Sequence, residues 1–225
     1  MSETEPKIEW RAVRGFVRQL NHDLRNHLNA IELQVAFLNE IATDDEMKAE
    51  IKRLREMTAA LAADLRGLSQ SMKEPDPARL RYPAKEFVED LRARLEREQP
   101  ELAAAVEWQV SLGEEAMEID PQLIPDVFME IFANAALHGR GEGALIFEAR
   151  STADAIEFDL HEPKTKFDGA PENWGARPFE HIRHGHYGLG LFRALGILEQ
   201  HHGTLCARFE PATSQLVTSI ALPKA

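Results

Sequence analysis

The sequence is poor in several things at once, and each shortage removes a class of protein. It has 225 residues and a single cysteine, Cys206, so no internal disulfide framework and no thiolate metal cluster can form. No apolar run approaches the roughly 18 residues that cross a bilayer, and the acidic start "MSETEPKIEW" lacks the basic and apolar regions of a signal peptide. Basic side chains are outnumbered, 26 Lys and Arg against 38 Asp and Glu, a formal charge of −12 that disfavours general affinity for nucleic acid or anionic membrane. The expectation is a soluble, cytoplasmic protein. What the chain does have is 44% hydrophobic content, enough for one large domain or two small ones.

The apolar pattern changes along the chain. Val13, Val17, Leu20, Leu24, Leu28, Ile31, Val35 and Leu38 fall at steps of three and four, one stripe on a long helix. A second stripe runs through Ile51, Leu54, Thr58, Leu61, Leu65, Leu68 and Met72. The short polar break "ATDDE", with Thr43 and Asp44 as cap candidates, predicts two antiparallel helices. One hairpin covers only part of its own stripe, so pairing with a second copy into a four-helix bundle, a homodimer, is expected. Packing against the rest of the same chain is the alternative. "KEPDPARLRYP" then reads as a linker because of its three prolines. Beyond it, helical stretches alternate with "VEWQVSL", "EAMEID", "GALIFEAR" and "AIEFDLHE", and "TLCARFE" with "QLVTSIALP" reads as a hairpin across "PATS". Together these predict an α+β chain: a helical hairpin over residues 8–73, a linker over 74–83, and a sheet covered on one face by helices over 84–225.

His22 raises the functional question. At 100° per residue it points almost directly away from the apolar stripe, with Asn26 one turn above it and Asp23 beside it. A solvent-facing histidine is ordinarily a plain surface residue. Its neighbours give it another reading, because "FVRQLNHDLRNHL" resembles the H-box of sensor histidine kinases, with Phe16 six residues before the histidine and the H-[DE]-L-R-[TN] core intact. The proline usual after that core is replaced by His27, which removes a helix bend. The resemblance implies that His22 accepts phosphate, that Asp23 makes it a better nucleophile, and that Asn26 orients water for the reverse reaction on a response regulator. Arg25 reads equally as a phosphate contact or a solvated charge.

The second half carries its own resemblance, to the Bergerat-type ATP-binding domain of the same family. "EIFANAALHG" is similar to the N-box, which implies Asn134 as a ligand of Mg²⁺ on the nucleotide phosphates, Glu130 one turn earlier as a catalytic carboxylate, and His138 one turn later at the nucleotide. The residue-level alternative is an amphipathic helix with incidental polar groups. "GHYGLGL", followed by a helix ending in "HHGTL", matches the family's order and implies phosphate binding at Gly188, Leu189 and Gly190, where glycine lets backbone approach an anion at a helix start. The family's D-x-G-x-G adenine motif is altered. Glu162 stands in the aspartate's place, followed by Pro163 and Lys164, so Glu162 is the expected acceptor for the adenine amino group. Lys164 and Lys166 read either as phosphate contacts or as solvated charges. Phe179 resembles the F-box of a mobile lid, and His181, His184 and His186 offer a weaker zinc reading without a second ligand group. The resemblance therefore implies a kinase that uses ATP and Mg²⁺ to phosphorylate His22 and passes the phosphate to an aspartate of a response-regulator receiver domain. The alternatives are a transfer or docking module with a degenerate nucleotide site, or an ATPase in which Glu130 activates water.

Overall fold

A computed structural model describes residues 9–137, 141–164, 174–179 and 187–225. The chain divides into two compact units, Met1–Lys73 and Glu74–Ala225.

The first unit is a hairpin of α1 (Trp10–Ile41) and α2 (Asp45–Ser71). Asp44 caps α2, its side chain accepting from the Met47 amide at 2.7 Å, and Asp45 and Glu46 place negative charge in the first turn. No helix in the described residues is long and apolar enough to cross a membrane. The helices bury every seventh residue: Asn21, Leu28 and Val35 on α1, Ile51, Thr58 and Leu65 on α2. The apolar residues three places further on are left open in the single chain, among them Leu24, Ile31 and Leu38 on α1 and Leu54 and Leu61 on α2.

The second unit contains β1 (Leu80–Pro83), α3 (Ala84–Glu98), the single turn α4 (Pro100–Ala103), β2 (Val106–Ser111), β3 (Ala116–Ile119), α5 (Leu123–Leu137), β4 (Leu145–Ser151), β5 (Ala155–Pro163), α6 (Gly190–Gln200), β6 (Thr204–Glu210) and β7 (Gln215–Pro223). The expected linker over 74–83 is corrected at its end. Residues 80–83 pair antiparallel with β3, and the Ala78 amide donates to Asp120. Pro83 is tolerated because it closes a short two-stranded ribbon and leads directly into α3. The main sheet has the order β2-β4-β5-β7-β6, with β2 and β4 parallel and the other neighbours antiparallel.

Alternation along the strands sends Leu145, Phe147 and Ala149 of β4, and Ile156, Phe158 and Leu160 of β5, to one face. There they meet Phe87 and Leu91 of α3, Phe128 and Phe132 of α5, and Ile197 of α6. Phe128 and Phe158 stack edge to face with centroids 5.0 Å apart, and Phe87 and Phe147 extend the cluster. At the C-terminus of α6 the "HHG" stretch is structural. His202 adopts φ 56°, and a Cβ on Gly203 would stand 2.9 Å from the Ala221 carbonyl oxygen, so the chain can turn into β6 there only as glycine. His201 is buried: its Nε2 accepts from the Asp120 amide at 3.0 Å and its Nδ1 donates to the Ile197 carbonyl at 2.7 Å.

Candidate functional site

The chemistry-bearing residues lie in both units, and each group is built locally. In the hairpin, α1 is continuous through His27, so the helix has no break where the family has proline. His22 stands on the outer face with its side chain 68% exposed. The Asp23 carboxylate lies 3.2 Å from Nδ1, and Gln19 donates to the same carboxylate oxygen at 2.9 Å, which holds it in place. Asn26 brings its amide nitrogen to 3.4 Å from Nδ1. Asp23 and Asn26 thus ask opposite things of one atom. The carboxylate contact is the shorter and is charge-assisted, which favours a proton on Nδ1 and leaves the lone pair on Nε2. Among the described residues Nε2 has no partner.

In the second unit, Glu130 and Asn134 sit one turn apart on α5, and the Asn134 side-chain amide donates to Glu130 Oε1 at 3.1 Å. The Glu130 carboxylate also lies against the backbone of Gly190, the first residue of α6; a Cβ there would stand 1.9 Å from Oε1. Gly188 adopts φ 63° just before, Leu189 is buried, and among the described residues no side chain caps α6. The structure thus brings together Glu130, Asn134, Gly188, Leu189 and Gly190, five of the residues singled out in the sequence. The Asn134 carbonyl oxygen and the Glu130 carboxylate are hard oxygen donors suited to Mg²⁺, and the start of α6 suits a phosphate. Phe179 is drawn to the same turn, its amide donating to the Gly188 carbonyl at 3.0 Å. His138, Lys166, His181, His184 and His186 lie outside the described residues.

Glu162 does not present itself as an open acceptor. Its carboxylate is buried and lies 2.9 Å from the Lys164 Nζ, which is buried with it, so Lys164 is not a solvated charge. The expected adenine acceptor is therefore engaged by a cation of the same strand end. The physical reason is that a buried carboxylate needs a compensating charge, and Lys164 supplies it two residues away. A second mixed cluster, Glu148, Asp159 and His161 on β4 and β5, brings potential metal-ligand atoms within 4.8 Å. Arg150 already supplies a cation there, with contacts of 2.5 Å to Asp159 and 2.6 Å to Glu157.

One buried residue next to His22 escaped the sequence reading. Asn21 is 3% exposed and donates from its side chain to the Leu65 carbonyl at 2.8 Å. Its signal was the seven-residue spacing to Leu28 and Val35, hidden because the residue is polar.

No protein-family model matches the chain, and no curated protein matches it. Solved structures do. Full-length ShkA in complex with AMPPNP aligns over 94% of this chain and 46% of its own, with a TM-score of 0.70 and 16% identity. The chain thus spans about half the length of ShkA. The Acinetobacter baumannii histidine kinase AdeS aligns over 90% of this chain and 97% of its own, with a TM-score of 0.52 and 19% identity. The catalytic domain of histidine kinase ThkA covers 64% of this chain, with 95% of its own length, at a TM-score of 0.52 and 15% identity. The fold is that of the histidine kinases. A helical hairpin followed by an α/β unit of this kind is what the resemblance implied, and α2, Asp45–Ser71, marks the end of the hairpin portion.

Proposed function

We propose that the chain is a two-component histidine kinase in which His22 is the phosphoacceptor, ATP with Mg²⁺ is the donor, and an aspartate of a response-regulator receiver domain takes the phosphate. The observation that carries this reading is the arrangement at His22: an exposed imidazole with Asp23 on Nδ1 and its other nitrogen without a partner among the described residues. With the proton on Nδ1, the Nε2 lone pair attacks the γ-phosphorus, the bond from phosphorus to the bridging oxygen breaks, and ADP departs. Asp23 holds the Nδ1 proton and stabilises the positive charge that grows on the ring. Mg²⁺ bound with the nucleotide would neutralise phosphate charge, and Asn134 and Glu130 are the residues placed to hold it. Asn26, within reach of the ring, is positioned to orient water when phosphate is removed from the regulator. That ShkA was solved with AMPPNP supports the choice of donor.

A homodimer completes the hairpin. The open residues Leu24, Ile31, Leu38, Leu54 and Leu61 form the face that a second hairpin would cover in a four-helix bundle. The buried Glu162–Lys164 pair favours a second reading, in which the second unit no longer reads a base and His22 receives phosphate from one regulator and hands it to another.

Incubation with radiolabelled ATP and Mg²⁺ separates the two. The kinase reading expects acid-labile labelling that His22→Gln abolishes without loss of helicity, because the side chain makes no core contact. Labelling from a phosphorylated receiver domain alone would establish the transfer reading, and wild-type labelling of His22→Gln from both donors would refute both.

A further inference from the structure

The hairpin seam contains one side chain whose chemistry does not suit its place. Two of the six inward positions are polar, and they behave differently. The Thr58 hydroxyl donates to the Leu54 carbonyl of its own helix at 2.8 Å, so it is satisfied within α2 and fixes nothing on α1. Asn21 instead reaches across the seam to the Leu65 carbonyl, and its Oδ1 is buried with no hydrogen-bond partner among the described residues. A leucine would fill the same position, as Leu28 does one heptad later, without leaving a polar atom unanswered. What asparagine adds is geometry. Its hydrogen bond forms at one rotation and one height of α1 on α2, whereas apolar contacts survive small slips, and a lone inward asparagine fixes helix register in this way at a cost in stability. His22 is the next residue, 100° further round the same helix, so any rotation of α1 carries the imidazole with it.

We propose that Asn21 is a positioning residue that locks the rotation of α1 on α2 and so holds His22 outward in its reactive orientation; the consequence for phosphotransfer rests on His22 being the phosphoacceptor. The test uses the full chain with Asn21→Leu, and with Thr58→Val as the matched control. Three quantities are read: the thermal midpoint, the rate at which diethyl pyrocarbonate modifies His22 relative to His27 on the same helix, and labelling from ATP with Mg²⁺. Both variants should raise the midpoint by about 3 °C, since each removes a polar group from an apolar seam. Only Asn21→Leu should change the His22 to His27 ratio, and only it should lower labelling, by about tenfold, as expected when a reacting group is misplaced by a fraction of a turn. A merely structural role would move stability and labelling together; here they move in opposite directions. An unchanged modification ratio in Asn21→Leu overturns the proposal. A changed ratio, with neither wild type nor variant labelled, upholds the positioning role and defeats instead the reading of ATP as donor.

Discussion

The two units solve the problem of burial in opposite ways. The hairpin buries one residue in seven and leaves a row of leucines and isoleucines open, while admitting Asn21 to its seam. The α/β unit encloses a cluster of phenylalanines from four elements, and among its described residues few large apolar side chains lie outside. Where the α/β unit buries charge it answers it, Glu162 with Lys164, Asp159 with Arg150, and Asp120 with the amides of Ala78, Gln122 and Leu123. A region that is complete by itself can afford buried charge because its low-dielectric surroundings strengthen each pair. The hairpin is incomplete by itself, and its exposed face is the physical argument for a second copy.

The sharpest way to break this contrast is to charge the open face. Ile31→Glu leaves a single hairpin unharmed but places one glutamate per chain into the seam of a bundle. An uncompensated buried carboxylate costs about 3 kcal/mol or more, so two per dimer should weaken association by more than a thousandfold, to about monomer behaviour at micromolar concentration. Light scattering reads the mass, and circular dichroism should remain that of the wild type. A dimer that survives the substitution would show that the pairing face lies elsewhere. The converse change falls on the other unit. Phe158→Ala removes a ring packed against Phe87 and Phe128 and should destabilise the α/β unit by about 3–5 kcal/mol, measured by denaturant titration, with the dimer intact.

Periodicity made most of this fold legible, because 3.6-residue and two-residue repeats report directly which face is buried. The hairpin, its Asp44 cap, strands β2 to β7 in outline and the α6 start at "GLG" follow from that logic. Strand β1 did not, since three prolines within eleven residues outweigh four residues whose pairing partner lies more than thirty positions away. At the site, His22 with Asp23 and Asn26 was legible because i, i+1 and i, i+4 neighbours on a helix are fixed by local geometry. The ion pair of Glu162 was not legible. Strand alternation gives the face a side chain takes, but not that Lys164 folds back to neutralise it. The approach of Glu130 to Gly190 was equally hidden, being a meeting of two helices sixty positions apart.

The smallest expected effect tests whether "HHG" is structural. His201 has its pKa lowered, first by burial, which disfavours the imidazolium, and only partly offset by the Ile197 carbonyl and Asp120. A group whose folded pKa lies below its unfolded value binds fewer protons when folded, so stability rises with pH through that interval. The contribution is fully present above the unfolded value near 6.5 and is lost as pH falls towards the folded one. Asp120, held below the usual carboxylate range because the amides of Gln122, Ala78 and Leu123 outweigh its burial, adds a second loss only at more acid pH. The α/β unit should therefore lose stability modestly between pH 7 and pH 5, while the hairpin, with no buried histidine, does not. His201→Gln should flatten that slope in melts followed by tryptophan fluorescence, since Trp108 packs in this unit against Phe147. An unchanged slope would place the titrating group elsewhere.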